Sequence, residues 1–189
     1  MWNENLITEY LKANLNPQRF QHSVRVMETA VSLAMHYKVD EEKAKLAGLT
    51  HDCAKNLKNL EINDLLEKNG YNIDMMFKKN SNVMHGLAGS IIAKDIMGIS
   101  DEEVLNAIAY HTTGRTNMSM LEKIIYIADY IEPMRNFDGI AALRTLAYEN
   151  LDEALLLSFN NTIKYVIDKG ELIHKDTIEA RNFILFTKH

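Results

Sequence analysis

The sequence contains few of the residues that interrupt regular structure or cross-link a chain. Its 189 residues include only 8 glycines, 2 prolines and 1 cysteine. Because an all-β sandwich builds its many turns largely from glycine and proline, this composition disfavours that architecture. The single cysteine, Cys53, excludes an internal disulfide and agrees with a reducing compartment. The composition therefore predicts a cytoplasmic protein of long helices with short connections.

Long apolar runs and clusters of basic residues are also absent. The longest apolar run, from Ile124 to Ala128, is far shorter than the roughly 18 residues that a membrane-spanning helix needs. The N-terminal segment has neither a basic region nor an apolar stretch, so no secretory signal is expected. The net charge of −5, with no basic run, disfavours nucleic acid as a partner. The sequence predicts neither a membrane nor a nucleic-acid partner.

Helix-start and helix-end signals follow one another along the whole chain. Two capping boxes are expected, Ser100 with Glu103 and Ser119 with Glu122. Apolar residues at helical spacing and the capping residues together predict nine helices, over 17–34, 40–51, 60–69, 83–97, 100–111, 119–133, 138–150, 152–169 and 176–186. No segment shows the two-residue alternation of a strand, and no repeat or linker is evident. The prediction is one all-α domain over residues 1–189.

Residues of metal-binding type fall on or next to five of the first six predicted helices, near their apolar faces or ends. They are His22, His51, Asp52, His85, His111 and Asp129. His22 and His51 could instead be core histidines bonded to backbone carbonyls. His85 and His111 could be helix-terminal histidines, the latter stabilised by the helix dipole. Asp129 could form an ion pair with Arg135, whereas Asp52 among apolar neighbours needs a cation or donors.

Taken together, these four imidazoles and two carboxylates predict a metal centre. A mixed nitrogen and oxygen set suits iron, manganese, zinc, cobalt or nickel, and is poor for magnesium or calcium alone. Six ligands are many for one ion that must keep open positions, but they suit two ions that share a carboxylate. The sequence therefore predicts a dinuclear centre.

The motifs around these residues resemble a known family. They are RFxHSxxV around His22, HDxAK from His51, HGxAG from His85, HTTGR from His111 and ADYIEPxR around Asp129. In this order they resemble the HD-domain metal-dependent phosphohydrolases, and more narrowly the YqeK-type symmetrical bis(5'-nucleosyl)-tetraphosphatases. The resemblance covers nearly the whole chain and includes IHxDTxEARN near its end. The HD pair is generic to a superfamily, whereas HTTGR and ADYIEPxR are specific.

The resemblance implies a compact helical bundle with the metal site between helices. It implies symmetrical hydrolysis of diadenosine tetraphosphate and related dinucleoside polyphosphates to nucleoside diphosphates such as ADP. Two divalent transition-metal ions are implied, iron before manganese, cobalt, nickel or zinc. His22, His51, Asp52 and Asp129 would hold one ion, and His85 and His111 with bridging Asp52 the other. A homodimer is left open.

Roles in catalysis and substrate binding are implied for residues in and near this centre. The catalytic set is Asp52, His85, His111 and Lys55. The substrate-binding set is His22, Lys55, His85, His111, Thr112, Arg115, Asp129, Arg135, Gly170, Glu171, Leu172, Ile173, His174 and Lys175. Lys55, Arg115 and Arg135 would place positive charge on the polyphosphate, unless they are solvated surface cations. Thr112 and Thr113 either donate hydroxyls to phosphate or simply end a helix.

Two other functions stay open at this point. One is a different HD phosphohydrolase, a nucleotidase or phosphodiesterase acting on a nucleoside phosphate, which would share the metals and differ in its products. The other is a catalytically silent interaction module, which would be expected to have lost ligands that this chain retains.

Overall fold

The computed structural model describes residues 2–74, 78 and 81–188, and within these ranges it contains ten α-helices and no β-strand. The helices are α1 Glu4–Asn14, α2 Pro17–Tyr37, α3 Glu41–Thr50, α4 Asn59–Lys68, α5 Ser81–Asp95, α6 Glu102–Tyr110, α7 Met120–Ile131, α8 Ile140–Glu149, α9 Leu151–Asp168 and α10 Lys175–Thr187. The all-α prediction is confirmed. Among the described residues, no helix combines the length and apolar character needed to cross a bilayer.

Several predicted helix starts are confirmed by the capping groups themselves. The Asn16 side chain accepts a hydrogen bond from the Arg19 N–H at 2.8 Å, and Pro17 occupies the first turn of α2. Ser119 and Glu122 form the expected capping box at the start of α7. These polar side chains satisfy amide groups that have no partner inside the helix, which fixes where each helix begins.

The start of α6 differs from the prediction. Asp101, not Ser100, is the capping residue, and its Oδ1 accepts from the N–H groups of Glu103 at 2.9 Å and Val104 at 3.3 Å. A carboxylate can accept from two amides and also interacts favourably with the helix dipole. The Ser100–Glu103 capping box was therefore wrong by one residue.

Helix α1 was missed entirely by the sequence prediction. Its cap is Asn3, whose side chain accepts from the Leu6 N–H at 3.0 Å. Ile7 and Leu11, four residues apart, are buried in the core. This amphipathic spacing is present in the sequence, but the sequence analysis considered the N-terminal segment only as a possible secretory signal.

A single hydrophobic cluster extends from Ile7 in α1 to Ile184 in α10. Helix α2 packs against α3 and α7, while α6 packs against α3, α5 and α7. The five elements that carry the metal-type residues therefore surround the same part of the core.

Two glycines set how closely these helices approach. A Cβ atom at Gly48 in α3 would lie 2.8 Å from Cα of Met27 in α2. A Cβ atom at Gly86 in α5 would lie 2.6 Å from the carbonyl oxygen of Ala109 in α6. Because such distances are too short for real carbon contacts, both positions require glycine. The close α2–α3 and α5–α6 contacts bring the histidines of each pair of helices together.

Candidate metal centre

The six predicted ligands converge where α3 ends. His51 follows the last residue of α3, and the chain then tightens, with the Cys53 N–H bonded to the Thr50 carbonyl at 3.0 Å. The Lys55 N–H likewise donates to the Asp52 carbonyl at 2.9 Å. Helices α2, α5, α6 and α7 supply the other four ligands around this turn. All are buried except Asp129, whose side chain is 24% exposed.

Asp52 links two groups of imidazoles through its two carboxylate oxygens. Oδ1 lies 3.0 Å from Nε2 of His85 and 3.6 Å from Nε2 of His111. Oδ2 lies 3.5 Å from Nε2 of His51 and 3.8 Å from Nε2 of His22. We call the first group the His85–His111 side of the centre. The second group, together with Asp129, is the His22–Asp129 side.

The His22–Asp129 side has the donor atoms that a cation requires. Oδ1 of Asp129 lies 3.0 Å from Nε2 of His22. One ligand atom each from His22, His51 and Asp129 can be chosen so that all lie within 4.8 Å of one another. Among the described residues, buried Nε2 of His51 has no hydrogen-bond partner, and buried Nε2 of His22 lies against Asp129 without the geometry of a hydrogen bond. Since an unsatisfied buried nitrogen is costly, these atoms fit a bound divalent cation.

The donors of the His85–His111 side are mostly imidazole nitrogens. Nε2 of His85 and Nε2 of His111 are only 3.0 Å apart. Atoms of His51, Asp52 and His111 also lie within 4.8 Å of one another. Thr112 contributes Oγ1, at 3.2 Å from Nε2 of His111. Two imidazole nitrogens converging beside a carboxylate oxygen fit a second transition-metal ion.

Backbone carbonyls orient two of the histidines. Nδ1 of His51 lies 2.7 Å from the carbonyl oxygen of Gly48, and Nδ1 of His111 lies 2.7 Å from that of Ile108. Because a carbonyl can only accept, Nδ1 donates in each case, so in the neutral imidazole the lone pair is on Nε2, which faces the centre. The sequence left open that His51 is a core histidine bonded to a backbone carbonyl. That contact exists through Nδ1, and it directs Nε2 towards the centre.

The electrostatics keep both carboxyl groups ionised. Burial alone would raise the pKa of Asp52, but interactions with His51, His111 and His85 hold that pKa well below its usual range. Burial would also raise the pKa of Asp129, and contact with His22 followed by the charges of His51 and Arg135 lowers it. Two ionised carboxylates in one buried site attract cations strongly.

Burial lowers the pKa values of two basic groups. It is the largest influence on His85, whose pKa falls to about 4, so this imidazole is neutral near pH 7. It is also the main reason that the pKa of Lys55 is lowered. Nζ of Lys55 lies 3.5 Å from Nδ1 of His85. Lys55 thus lies beside the His85–His111 side, as its predicted role requires.

Two arginines flank the carboxylates at the surface of the centre. Nη1 of Arg19 lies 2.8 Å from Oδ2 of Asp52, and Nη2 of Arg135 lies 2.6 Å from Oδ1 of Asp129. Both border a cleft of about 200 Å³ that is also lined by Asn16, Gln18 and His22. Arg19 belongs to the motif RFxHSxxV, but the sequence analysis gave it no role, although it precedes His22 by three residues and so shares its helix face. The sequence analysis also missed Glu132, which follows Asp129 by three residues and contacts His22.

Other predicted residues have partners outside the centre. Nε of Arg115 donates to Oε1 of buried Glu122 at 2.6 Å, and its guanidinium lies 4.6 Å from the centre of the Tyr110 ring. The Thr113 hydroxyl donates to the Gly114 carbonyl at 2.9 Å, so of the two threonines only Thr112 faces the imidazoles. The substrate role of Arg115 stays a prediction.

The predicted nucleoside-binding segment, 170–175, covers most of the connection from α9 to α10 and ends at Lys175, the first residue of α10. Gly170 has φ +66° in the left-handed region and begins the connection. Nδ1 of His174 accepts from the Asp176 N–H at 3.3 Å and caps α10. Leu172 is half exposed. His174 also interacts electrostatically with Asp74, which is distant in sequence, and the role of this segment in binding stays a prediction.

Known proteins resemble this chain in sequence and in structure. A chain from Halalkalibacterium halodurans named "Bis(5'-nucleosyl)-tetraphosphatase, symmetrical" is 41% identical, over 94% of each chain. A chain of the same name from Bacillus subtilis is 35% identical, over 93% of this chain and 94% of the relative. A crystal structure from Clostridium acetobutylicum, described as a predicted HD superfamily hydrolase involved in NAD metabolism, is 56% identical with a TM-score of 0.97, covering 99% of each chain.

The family model that matches is that of the HD domain, over residues 19–134. All six candidate ligands, from His22 to Asp129, lie within the matched range. The resemblance noted from the sequence motifs is thereby confirmed. The chain belongs to the HD domain family.

Proposed function

We propose that this chain hydrolyses diadenosine tetraphosphate and related dinucleoside polyphosphates symmetrically to nucleoside diphosphates. One observation carries the proposal: the buried Asp52 carboxylate faces a different group of imidazoles with each oxygen, as a residue shared by two ions would. The names of the Halalkalibacterium halodurans and Bacillus subtilis relatives support this substrate class.

The ligand set supports two divalent transition-metal ions, with iron first and manganese, cobalt, nickel or zinc as alternatives. His22, His51, Asp52 and Asp129 would hold one ion, and His85, His111 and Asp52 the other. When bound, such a pair supplies a water of lowered pKa and neutralises charge on phosphate oxygens. The attacking group is then a water, so the chain itself needs no nucleophilic side chain.

Local cations would bind the polyphosphate. The whole chain carries a net charge of −5, so its overall field opposes an anionic substrate. Arg135 at the cleft and Lys55 beside His85 place positive charge next to the ligands, and Arg115 is a third predicted cation. The Thr112 hydroxyl, which faces both His85 and His111, can donate to a phosphate oxygen. These groups would orient the phosphate chain against the centre.

The position of cleavage would depend on where the nucleoside is held. Segment 170–175 is proposed to hold one nucleoside at a distance of two phosphates from the centre, so that the second phosphorus is attacked. The tetraphosphate then gives two ADP molecules. A single domain over residues 1–189 and a cytoplasmic location stay predictions, and a homodimer stays open.

The test is hydrolysis by anaerobically purified, metal-analysed protein in oxygen-18 water. Diadenosine tetraphosphate should give ADP alone. Diadenosine triphosphate should give ADP and AMP, and diadenosine pentaphosphate should give ADP and ATP. From the pentaphosphate, the label should appear in ADP and not in ATP. AMP plus ATP from the tetraphosphate would refute symmetrical cleavage, and release of phosphate from nucleotides without cleavage of the tetraphosphate would favour a nucleotidase.

A further inference from the structure

Glu132 is a buried carboxylate outside the proposed ligand set. It caps the C-terminal end of α7 and is 3% exposed. Its Oε1 lies 3.3 Å from Nδ1 of His22. Its Oε2 accepts from Nε of Arg25 at 2.7 Å and from the Met134 N–H at 2.9 Å. The two oxygens therefore serve different purposes, since one is directed at a candidate ligand and the other is already satisfied.

The contact follows from the spacing of residues on two packed helices. His22 and Arg25 are three residues apart on α2, and Asp129 and Glu132 are three residues apart at the end of α7. Residues at this spacing lie on the same helix face. As a result, His22 contacts Asp129 through Nε2 and Glu132 through Nδ1. Its two ring nitrogens thus face two carboxylates from one neighbouring helix.

The location of His22 explains why it needs a side-chain acceptor. His51 and His111 lie at the C-terminal ends of α3 and α6. Backbone carbonyls at a helix end lack main-chain N–H partners, so they can accept hydrogen bonds from the ring N–H groups of these histidines. His22 lies in the second turn of the 21-residue helix α2. Carbonyls there already accept from main-chain amides, so an acceptor has to come from another element.

We propose that Glu132 is a positioning residue for the metal centre, which accepts the Nδ1–H of His22 and so directs Nε2 towards Asp129 and Asp52. A ligating histidine commonly donates its second ring N–H to a carboxylate, which fixes its tautomer and raises its basicity as a ligand. Arg25 and the Met134 amide compensate the buried charge on Glu132. The role of Arg25 is then indirect.

The inference rests on the metal centre of the proposed function and does not depend on the substrate. The first measurement is a Co²⁺ titration of metal-free protein, followed by visible absorption. Glu132→Met fills similar space but offers no acceptor, and it should weaken the His22–Asp129-side ion about 10- to 100-fold. The other ion should be affected by less than about threefold. Arg25→Met, the matched control, removes the other partner of Glu132 and should retain both affinities to within about threefold, because the contact with His22 remains.

The second measurement is specific to the hydrogen bond. In wild-type protein loaded with Zn²⁺, proton NMR should show slowly exchanging ring N–H signals from His22, His51 and His111. Glu132→Met should lose protection at His22 alone, because the other two donate to backbone carbonyls. The wild-type spectrum tests the proposal even if the variant does not fold, since a rapidly exchanging His22 Nδ1–H there would overturn it.

The outcomes separate this inference from the proposed function. Unchanged Co²⁺ affinity in Glu132→Met would overturn the positioning role and leave the metal centre in place. Equal losses in Glu132→Met and Arg25→Met would also overturn it, because they would indicate a structural ion pair. Wild-type protein that binds neither Co²⁺ nor Zn²⁺ would overturn both proposals.

Discussion

The two sides of the candidate metal centre share Asp52 and differ in charge. On the His85–His111 side, the donors are imidazole nitrogens and one oxygen of Asp52. On the His22–Asp129 side, a second carboxylate is present, and two arginines, Arg19 and Arg135, pair with the carboxylates. One side is thus built mainly from imidazole nitrogens, and the other includes carboxylates that are paired with arginines.

This difference bears on how each side would hold a divalent cation. More carboxylate charge favours a hard divalent ion, so we expect the ion of the His22–Asp129 side to bind more tightly. His85 is neutral near pH 7 and needs to lose no proton to become a ligand. We therefore expect the His85–His111 side to fill readily but to release its ion first.

The largest expected effect comes from removing the residue that the two sides share. Asp52→Ala should abolish binding of both ions and reduce hydrolysis by more than about 10³-fold, equivalent to about 4 kcal/mol. Metal analysis and initial rates test this. Cys53→Ala, the matched control at the neighbouring buried position, should retain both ions because its thiol faces the Gly89 carbonyl. One remaining ion in Asp52→Ala would show that the two sides do not depend on a common ligand.

A pH dependence separates the two sides in metal-free protein. The pKa of His85 is lowered to about 4, so its contribution to stability is present above the unfolded-state pKa of about 6.5 and is lost as pH falls towards 4. The lowered pKa values of Asp52 and Asp129 place their losses below about pH 4. Between pH 7 and 4.5, wild type should lose about 2 kcal/mol relative to His85→Gln.

The measurement is urea unfolding of both proteins without metal. The pKa of His51 is raised because nearby carboxylates outweigh its burial. Its effect on the pH dependence of the free energy of unfolding therefore has the opposite sign to that of His85. This effect is present in both proteins and cancels in the difference between them. If the difference in free energy of unfolding between wild type and His85→Gln does not change with pH, the environment of His85 does not lower its pKa.

The third prediction removes one ligand from the His85–His111 side. His111→Ala should leave one ion bound, on the His22–Asp129 side, and should reduce hydrolysis about 10²-fold, equivalent to about 3 kcal/mol. Metal stoichiometry after gel filtration gives the count of ions. Asp129→Asn is the matched variant on the opposite side and should release the other ion. Loss of both ions from His111→Ala would show that the two sides are not independent.

The sequence predicted which candidate ligands would lie together better than it predicted the residues that contact them. His22, His51 and Asp129 could be chosen as candidates because histidine and aspartate on apolar helix faces are conspicuous one residue at a time. The helix that starts at Asn3 could also have been found, since its cap and apolar spacing are local signals.

Arg19 and Glu132 could not be identified in the same way. Each is an ordinary charged residue at a helix end, and its significance depends on a contact with a residue distant in sequence. Arg115 illustrates the converse case, because a cation in a specific motif proves to pair with buried Glu122. A spacing of three residues from a candidate ligand marks both Arg19 and Glu132, and it gains meaning only once the packing of α2 against α3 and α7 is known.

The smallest expected effect concerns Arg135, which lies on the His22–Asp129 side but is proposed to act on substrate. Its guanidinium holds Oδ1 of Asp129 at 2.6 Å and the Asp129 carbonyl at 2.9 Å, and a metal ion would take over compensation of that carboxylate. Arg135→Ala should then raise KM about tenfold, equivalent to about 1.4 kcal/mol, with metal content unchanged. Lys123→Ala, which removes a cation paired with Asp152, should leave KM unchanged. Loss of metal or of folding in Arg135→Ala would instead make Arg135 a structural partner of Asp129, and would show that charge compensation on this side persists when the ion is bound.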